Sequence, residues 1–257
     1  YKVDEDILKK FKLLKIIVTP STGTNHIDII ACKKYKKKVL GLKNSKFVRT
    51  IKASSEFTFA LALSLVRKIP LAAKYPLQGK WREEENNLRS FEIYKKKIGI
   101  IGYGRIGQNV SKYFKSLKCE VYYFDPYVKI KSSNAKKVSL TKILKECNII
   151  LLSANLTKET KNLCNLKFFK SIKNKAYFVN TSRGELVDEK ALLYALKNKI
   201  LKGAALDVIC NEQTGSIKSN ILYNYMRDNN NLIITPHIAG LSIDSEQKAA
   251  QTAIKLL

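Results

Sequence analysis

Short apolar runs alternate with helix-period segments through most of the chain. Runs near 98–101, 120–124, 148–153, 176–180, 203–207 and 232–234 have strand length and turn residues at their ends. Segments 106–118, 139–146, 165–173 and 188–198 read as helices. In the first of them Ile106, Val110, Tyr113, Phe114 and Leu117 fall on one stripe. Continuous apolar strands separated by helices predict a parallel sheet covered on both faces. The expected fold is α/β, a doubly wound parallel sheet. Six strands suit the order 3-2-1-4-5-6, with a ligand where that order reverses. Upstream, 12–19 reads as a buried strand and 38–41 as another short one. Residues 54–67 read as a helix with a serine start and Glu56 in its first turn, ended by Pro70 and a linker. The polar stretch 78–90 carries the only tryptophan, Trp81, and 243–257 reads as a final helix.

Composition narrows the class. A chain of 257 residues with 45% hydrophobic content can bury one large core or two smaller ones. No run is apolar for long enough to cross a bilayer, so no membrane role is expected. Five cysteines lie scattered without a C-x-x-C pair, which predicts reduced thiols, a cytoplasmic setting and no metal site. The formal charge of +27 invites a nucleic-acid reading. Of the 48 basic residues, however, only seven are arginine, the usual reader of phosphates and bases. The lysines spread along the chain, with short runs only at 36–38 and 95–97. No nucleic-acid partner is expected, and the lysine excess reads as solvated surface and biased residue usage.

The chemistry concentrates after the strands. Gly102, Gly104 and Gly107 form a G-x-G-x-x-G turn between the run at 98–101 and the helix at 106–118, and Asp125 ends the next strand. In a dinucleotide site the first glycine makes the tight turn and the second lets a pyrophosphate approach the backbone. The third lets the helix pack against its strand, and the helix N-terminus faces the phosphates. A carboxylate at Asp125 accepts the adenosine ribose hydroxyls and repels a 2′-phosphate, which predicts NAD rather than NADP. Three further groups follow strands on the same expected rim. Arg183 offers a fork for a carboxylate, and His237 is suited to carry a proton near neutral pH. Asp207 and Glu212 supply acids, one of which can hold that imidazole.

The stretches STGTNHID (21–28), ASSEFTFALALSLVR (53–67), GIIGYGRIG (99–107), LTKET (156–160), NTSRGELVDEKAL (180–192), GAALDV (203–208) and TPHIAG (235–240) together resemble the D-isomer-specific 2-hydroxyacid dehydrogenases. That resemblance implies a Rossmann-type NAD domain over 53–240. It also implies a smaller, flavodoxin-like substrate domain over 1–52 plus 241–257, incomplete because relatives carry further strands ahead of Tyr1. Arg183, Glu212 and His237 match the family's catalytic set. Ser21, Thr22 and Gly23 match a loop that holds the substrate carboxylate. Thr22, Arg105, Ile106, Ala154, Thr181, Asp207 and Gly240 match cofactor positions beside the glycines and Asp125. His26 matches a variable position and reads as structural. The sequence departs from the family at Ser153 and Asn155, where many relatives have histidine and proline, and at Gln213, where proline is usual. The expected partner is a small 2-hydroxy or 2-oxo acid, with NAD as cofactor and a homodimer as the assembly. An NAD-sensing corepressor on the same scaffold is the alternative expectation.

Overall fold

The computed structural model describes residues 2–256 except 22, 25, 43–45, 84, 174 and 213–215. The chain divides into two compact units, 1–53 with 240–257, and 54–239.

The smaller unit contains α1 (Glu5–Lys10), β1 (Ile16–Thr19), α2 (Ile29–Lys34) and β2 (Lys38–Gly41). The two strands pair in parallel. Asp4 and Asp28 cap the two helices through their side chains. The buried strand expected over 12–19 is shorter and less buried. The Leu14 N–H bonds back to the Phe11 carbonyl, so the chain turns there and leaves Leu13 95% exposed. Within β1 only Thr19 is buried. The cores of this unit are correspondingly small, one built on Leu8, Ile27, Ala31 and Cys32 and another on Leu42, Val48 and Ala249.

The larger unit begins within α3 (Ala53–Val66), followed by the short helices α4 (Ile69–Ala72), α5 (Lys74–Leu77) and α6 (Glu85–Leu88). Then come β3 (Lys97–Ile101), α7 (Arg105–Ser116), β4 (Glu120–Phe124), β5 (Lys136–Lys137), α8 (Leu140–Glu146) and β6 (Ile149–Leu152). The remaining elements of the unit are α9 (Leu166–Lys170), β7 (Ala176–Asn180), α10 (Glu189–Lys197), β8 (Leu201–Leu206), α11 (Ile221–Asp228) and β9 (Leu232–Ile234). The last helix of the chain, α12 (Ile243–Ile254), belongs to the smaller unit. The strands form one parallel sheet in the order β5-β4-β3-β6-β7-β8-β9. It has seven strands rather than the six expected. The additional one, β5, is two exposed lysines on an edge and carries no apolar signal. Counting it makes β6 the fourth strand and places it beside β3, where the order reverses.

Alternate side chains of each central strand enter opposite cores, as a two-residue period requires. Ile98, Ile100, Ile149, Leu151, Tyr177, Val179 and Ala205 pack with α3 and α7. Ile101, Ile150, Leu152, Phe178, Ala204 and Leu206 pack with α8, α9, α10 and α11. Both faces are thereby covered, which is why these strands read as continuous apolar runs.

Candidate active site

The last paired residues of the strands form a row across one rim of the sheet: Phe124, Ile101, Leu152, Asn180, Leu206 and Ile234. The residues that follow them are Asp125, Gly102, Ser153, Thr181, Asp207 and Thr235. All the chemistry expected of the larger unit therefore lies along a single edge.

The glycine turn is built for a dinucleotide. Gly102 has φ +92, and a Cβ there would stand 2.6 Å from the backbone of Ser153 and Ala154. A Cβ on Gly107 would meet the Gly102 carbonyl oxygen at 2.4 Å. Gly104 differs: nothing lies within 4 Å of the position a Cβ would take. It is the N-cap of α7, and no side chain caps that helix end, whose first turn is the positive end of the helix dipole. Arg105 and Ile106 stand in that first turn. Ile106 packs into the core, leaving its backbone N–H as its polar group at the turn. Burial lowers the Arg105 pKa. Asp125 accepts the Tyr103 N–H at 2.8 Å, and those of Tyr127 and Val128 at 2.9 and 3.1 Å, which ties the acid directly to the glycine turn. These residues fit NAD: a Cβ-free cradle at a helix N-terminus beside a fixed carboxylate.

The segment carrying Arg183 is anchored on three sides. Buried Asn180 accepts the Ser182 N–H and donates to the Arg183 carbonyl, both at 2.9 Å. The Ser182 hydroxyl donates to the Leu152 carbonyl on β6 at 2.7 Å. The Thr181 hydroxyl meets that of Thr58, on α3, at 2.6 Å. Thr58 already donates its only proton to the Ser54 carbonyl, so Thr181 must be the donor between the two. Its oxygen is left as an acceptor. Gly184 presses so closely on the next strand connection that a Cβ would stand 2.1 Å from the Ile209 carbonyl carbon. This contact brings the Arg183 segment against the chain leading to Glu212.

His237 Nδ1 lies 2.5 Å from Glu212 Oε1. That hydrogen bond raises the imidazole pKa most. Burial opposes it, the charges of Glu212 and Asp207 raise it further, and the Arg183 guanidinium lowers it. The net direction is up. His237 has φ +55, a left-handed conformation unusual for a residue with a Cβ. Asp207, 1% exposed, holds the turn in that shape. Its carboxylate accepts the Thr235 hydroxyl at 2.6 Å and the N–H groups of Ile238 and Ala239 at 3.0 and 2.8 Å. Asp207 was expected as a cofactor contact; in the structure both its oxygens are used by the His237 turn.

Arg183, Glu212, His237 and Asp207 thus come together in the larger unit, with Thr181 and Ala154 on the same rim. Ser21, Gly23 and Gly240 belong to the smaller unit, and Thr22 is outside the described residues. There the Ser21 hydroxyl donates to the Gly23 carbonyl, and His26 Nε2 lies 3.0 Å from the Thr19 hydroxyl oxygen. From sequence, Thr58, Ser182 and Gly184 stand only inside the matching stretches 53–67 and 180–192, with no role of their own. Only the last has a local signal, a glycine directly after the arginine. Among the described residues no group of His, Cys, Asp and Glu could hold a metal ion, and no helix is long and apolar enough to cross a membrane.

Comparison with known proteins agrees with this geometry. Residues 59–239 match the D-isomer specific 2-hydroxyacid dehydrogenase NAD binding domain, and residues 1–50 match the catalytic domain of the same family. The chain is 33% identical to a glyoxylate reductase of Thermofilum pendens over all of its own length and 74% of the relative's. It is 35% identical to D-3-phosphoglycerate dehydrogenase of Haemophilus influenzae over 88% of its own length, and spans about half (53%) of that protein. Among solved structures it superposes on D-lactate dehydrogenase of Aquifex aeolicus, complexed with NAD and lactic acid, with a TM-score of 0.84 at 28% identity. That match covers 99% of this chain and 78% of the other. The chain belongs to the D-isomer specific 2-hydroxyacid dehydrogenase family of NAD-dependent oxidoreductases.

Proposed function

We propose that this chain interconverts a D-2-hydroxy acid and its 2-oxo acid, with Arg183, Glu212 and His237 as the catalytic set. The observation that carries the reading is the short His237–Glu212 contact on a turn held by Asp207, beside the Arg183 segment. Bound NAD supplies the hydride acceptor or, reduced, the hydride donor. Arg183 binds the substrate carboxylate through its planar fork. Glu212 engages Nδ1, so Nε2 is the nitrogen that moves the proton. In oxidation neutral His237 takes the hydroxyl proton; in reduction the imidazolium donates to the carbonyl oxygen. A raised pKa keeps imidazolium available near neutral pH. Reduction therefore declines as pH rises through that raised value, and oxidation declines as pH falls below it.

The substrate range we infer is that of small 2-oxo acids such as glyoxylate and the oxidised forms of D-lactate and D-3-phosphoglycerate. We place the protein in the cytoplasm as a homodimer. Four of its five cysteines are buried as free thiols, which suits a reducing compartment. Helix α3 is apolar, but its Leu61, Ala62, Leu65 and Val66 are used in the core. The exposed Leu77 and Trp81 just beyond it are the apolar groups a second copy would cover.

The test follows absorbance of the reduced cofactor with a panel of 2-oxo acids, for wild type and His237→Asn. The expected result is turnover of at least one acid, reduced by about 10²–10⁴ in the variant, with NAD affinity retained. Turnover that survives in His237→Asn refutes the proton assignment. NAD binding with silence across the panel points instead to the corepressor-type role.

A further inference from the structure

Glu189 is the first residue of α10, and its carboxylate reaches away from its own helix. Oε1 accepts the backbone N–H of Cys210 at 2.8 Å, and Oε2 accepts Nδ2 of Asn220 at 2.9 Å. Cys210 stands two residues before Glu212. Asn220 is the N-cap of α11, its own Oδ1 accepting from Leu222 and Tyr223 at 2.8 and 3.2 Å. One carboxylate thus ties the chain on either side of Glu212 to the start of α10. Capping α10 does not explain this. Asp188 already caps that helix by accepting from Lys190 and Ala191, and it supplies a negative charge at the positive end of the dipole.

We infer that Glu189 is a positioning residue that fixes Glu212 against His237, an inference that rests on the catalytic reading of that pair. The Cys210 peptide is held from two directions: Gly184 packs against it from the Arg183 side, and Glu189 accepts its N–H from α10. Two residues span at most about 7 Å of chain, so a shift at Cys210 is passed to Glu212 with little slack. A 2.5 Å contact weakens steeply with such shifts. Gln at 189 keeps one acceptor and turns the other oxygen into a donor facing an N–H, so one of the two ties fails.

The charged surroundings are defined on both sides. Glu185, Asp188 and Glu189 face Cys210, whose thiol is pushed up to about 12, mainly by burial and then by these acids. Glu212, Asp207 and Arg183 face His237. Loss of the Glu189 tie removes no charge from the second group. It acts on His237 only by letting Glu212 move.

The experiment is an NMR titration of the imidazoles together with the pH profile of kcat/KM, in wild type, Glu189→Gln and Glu212→Gln. The chain has two histidines, and His26→Gln identifies the His237 signal. In wild type the His237 titration is expected above the ordinary imidazole value. Glu189→Gln is expected to lower it by roughly half a pH unit or more and to move the decline of the reduction rate by the same amount, with NAD affinity unchanged within about two-fold. A folded Glu189→Gln protein whose His237 titration and profile stay at wild-type positions overturns the inference. If Glu212→Gln also leaves the titration in place, the His237–Glu212 reading itself has failed. If only Glu212→Gln moves it, the positioning role alone has failed. Should Glu189→Gln not fold, Asn220→Ser carries the same measurement. It keeps a capping oxygen for α11 and deletes only the donor to Glu189. A smaller shift of the same sign supports the inference, and no shift overturns it.

Discussion

Replacing Asp207 by asparagine separates what a buried acid does for the fold from what it does for the imidazole. Three donors converge on this carboxylate: the Thr235 hydroxyl and the Ile238 N–H on Oδ1, and the Ala239 N–H on Oδ2. An amide has one oxygen. Placed at Oδ1 it serves Thr235 and Ile238, and its NH2 then faces the Ala239 N–H. Placed at Oδ2 it serves Ala239, and its NH2 faces Ile238. In the second case the Thr235 hydroxyl rotates to the Leu206 carbonyl, 3.4 Å away. Either way one backbone N–H loses its partner at a site only 1% exposed. That costs about 1–3 kcal/mol, and the bonds that remain lose their charge assistance. The total is about 2–4 kcal/mol, or roughly 5–15 °C in melting temperature for a unit of this size. The same change removes a charge that raises the His237 pKa. The decline of the reduction rate with rising pH should therefore begin at lower pH. Thermal melting by circular dichroism and the kcat/KM profile read the two effects. Thr235→Val is the control: it deletes one donor, leaves the charge, and should move the melt by less than Asp207→Asn and the pH profile hardly at all. An Asp207→Asn protein that melts with wild type and keeps its pH profile refutes the account of the His237 turn.

Lys118 and Lys199 follow the C-caps of α7 and α10 in left-handed conformations, φ +61 and +57. Such a conformation costs a residue with a Cβ about 1–2 kcal/mol, and glycine's looser unfolded chain offsets about half of that. Lys118→Gly and Lys199→Gly should each raise stability by about 0.5–1 kcal/mol, read as a higher urea midpoint at constant slope, whereas alanine at either position should not. Gly104→Ala should lower stability by no more than about 1 kcal/mol, the amount by which alanine is a poorer N-cap than glycine, because a Cβ there meets no protein atom. It should weaken NAD binding by at least about ten-fold, measured by titration calorimetry; unchanged affinity removes the pyrophosphate from that spot.

The central sheet was legible because its physics is periodic. Apolar runs such as 149–152 are buried on both faces, and the glycine turn with its distant acid is a local pattern. Arg183, Glu212 and His237 were placed by motif and meet through strand ends that a parallel sheet must align. What stayed hidden has no period. Strand β5 is a pair of exposed lysines on an edge. The three-donor grip of Asp207 and the contact from Glu189 to Asn220 join side chains about thirty residues apart, and nothing in the local sequence marks the partner. The run 12–19 misled because apolar letters alone do not say what lies opposite. In a two-stranded sheet there is little to cover them.

The use of glycine and lysine bears on the same question. Of the nine non-glycine residues at positive φ among the described residues, six are lysines: Lys36, Lys68, Lys95, Lys118, Lys175 and Lys199. After α2, α7 and α10 the N–H groups of Lys36, Lys118 and Lys199 and of the residues that follow them bond back to the last turn, in the arrangement that usually selects glycine. Part of the lysine excess thus occupies backbone positions where lysine is the costlier choice. Glycine persists where a Cβ would collide with backbone: Gly102 against Ser153, Gly107 against Gly102, Gly184 against Ile209. Gly104 fits neither rule. Its φ is −73, open to any residue, and no protein atom crowds it. In a chain that puts lysine even at left-handed turns, a glycine that neither φ nor crowding demands leaves the head of α7 open to the close approach that a dinucleotide pyrophosphate would need, which is what the Gly104→Ala titration tests.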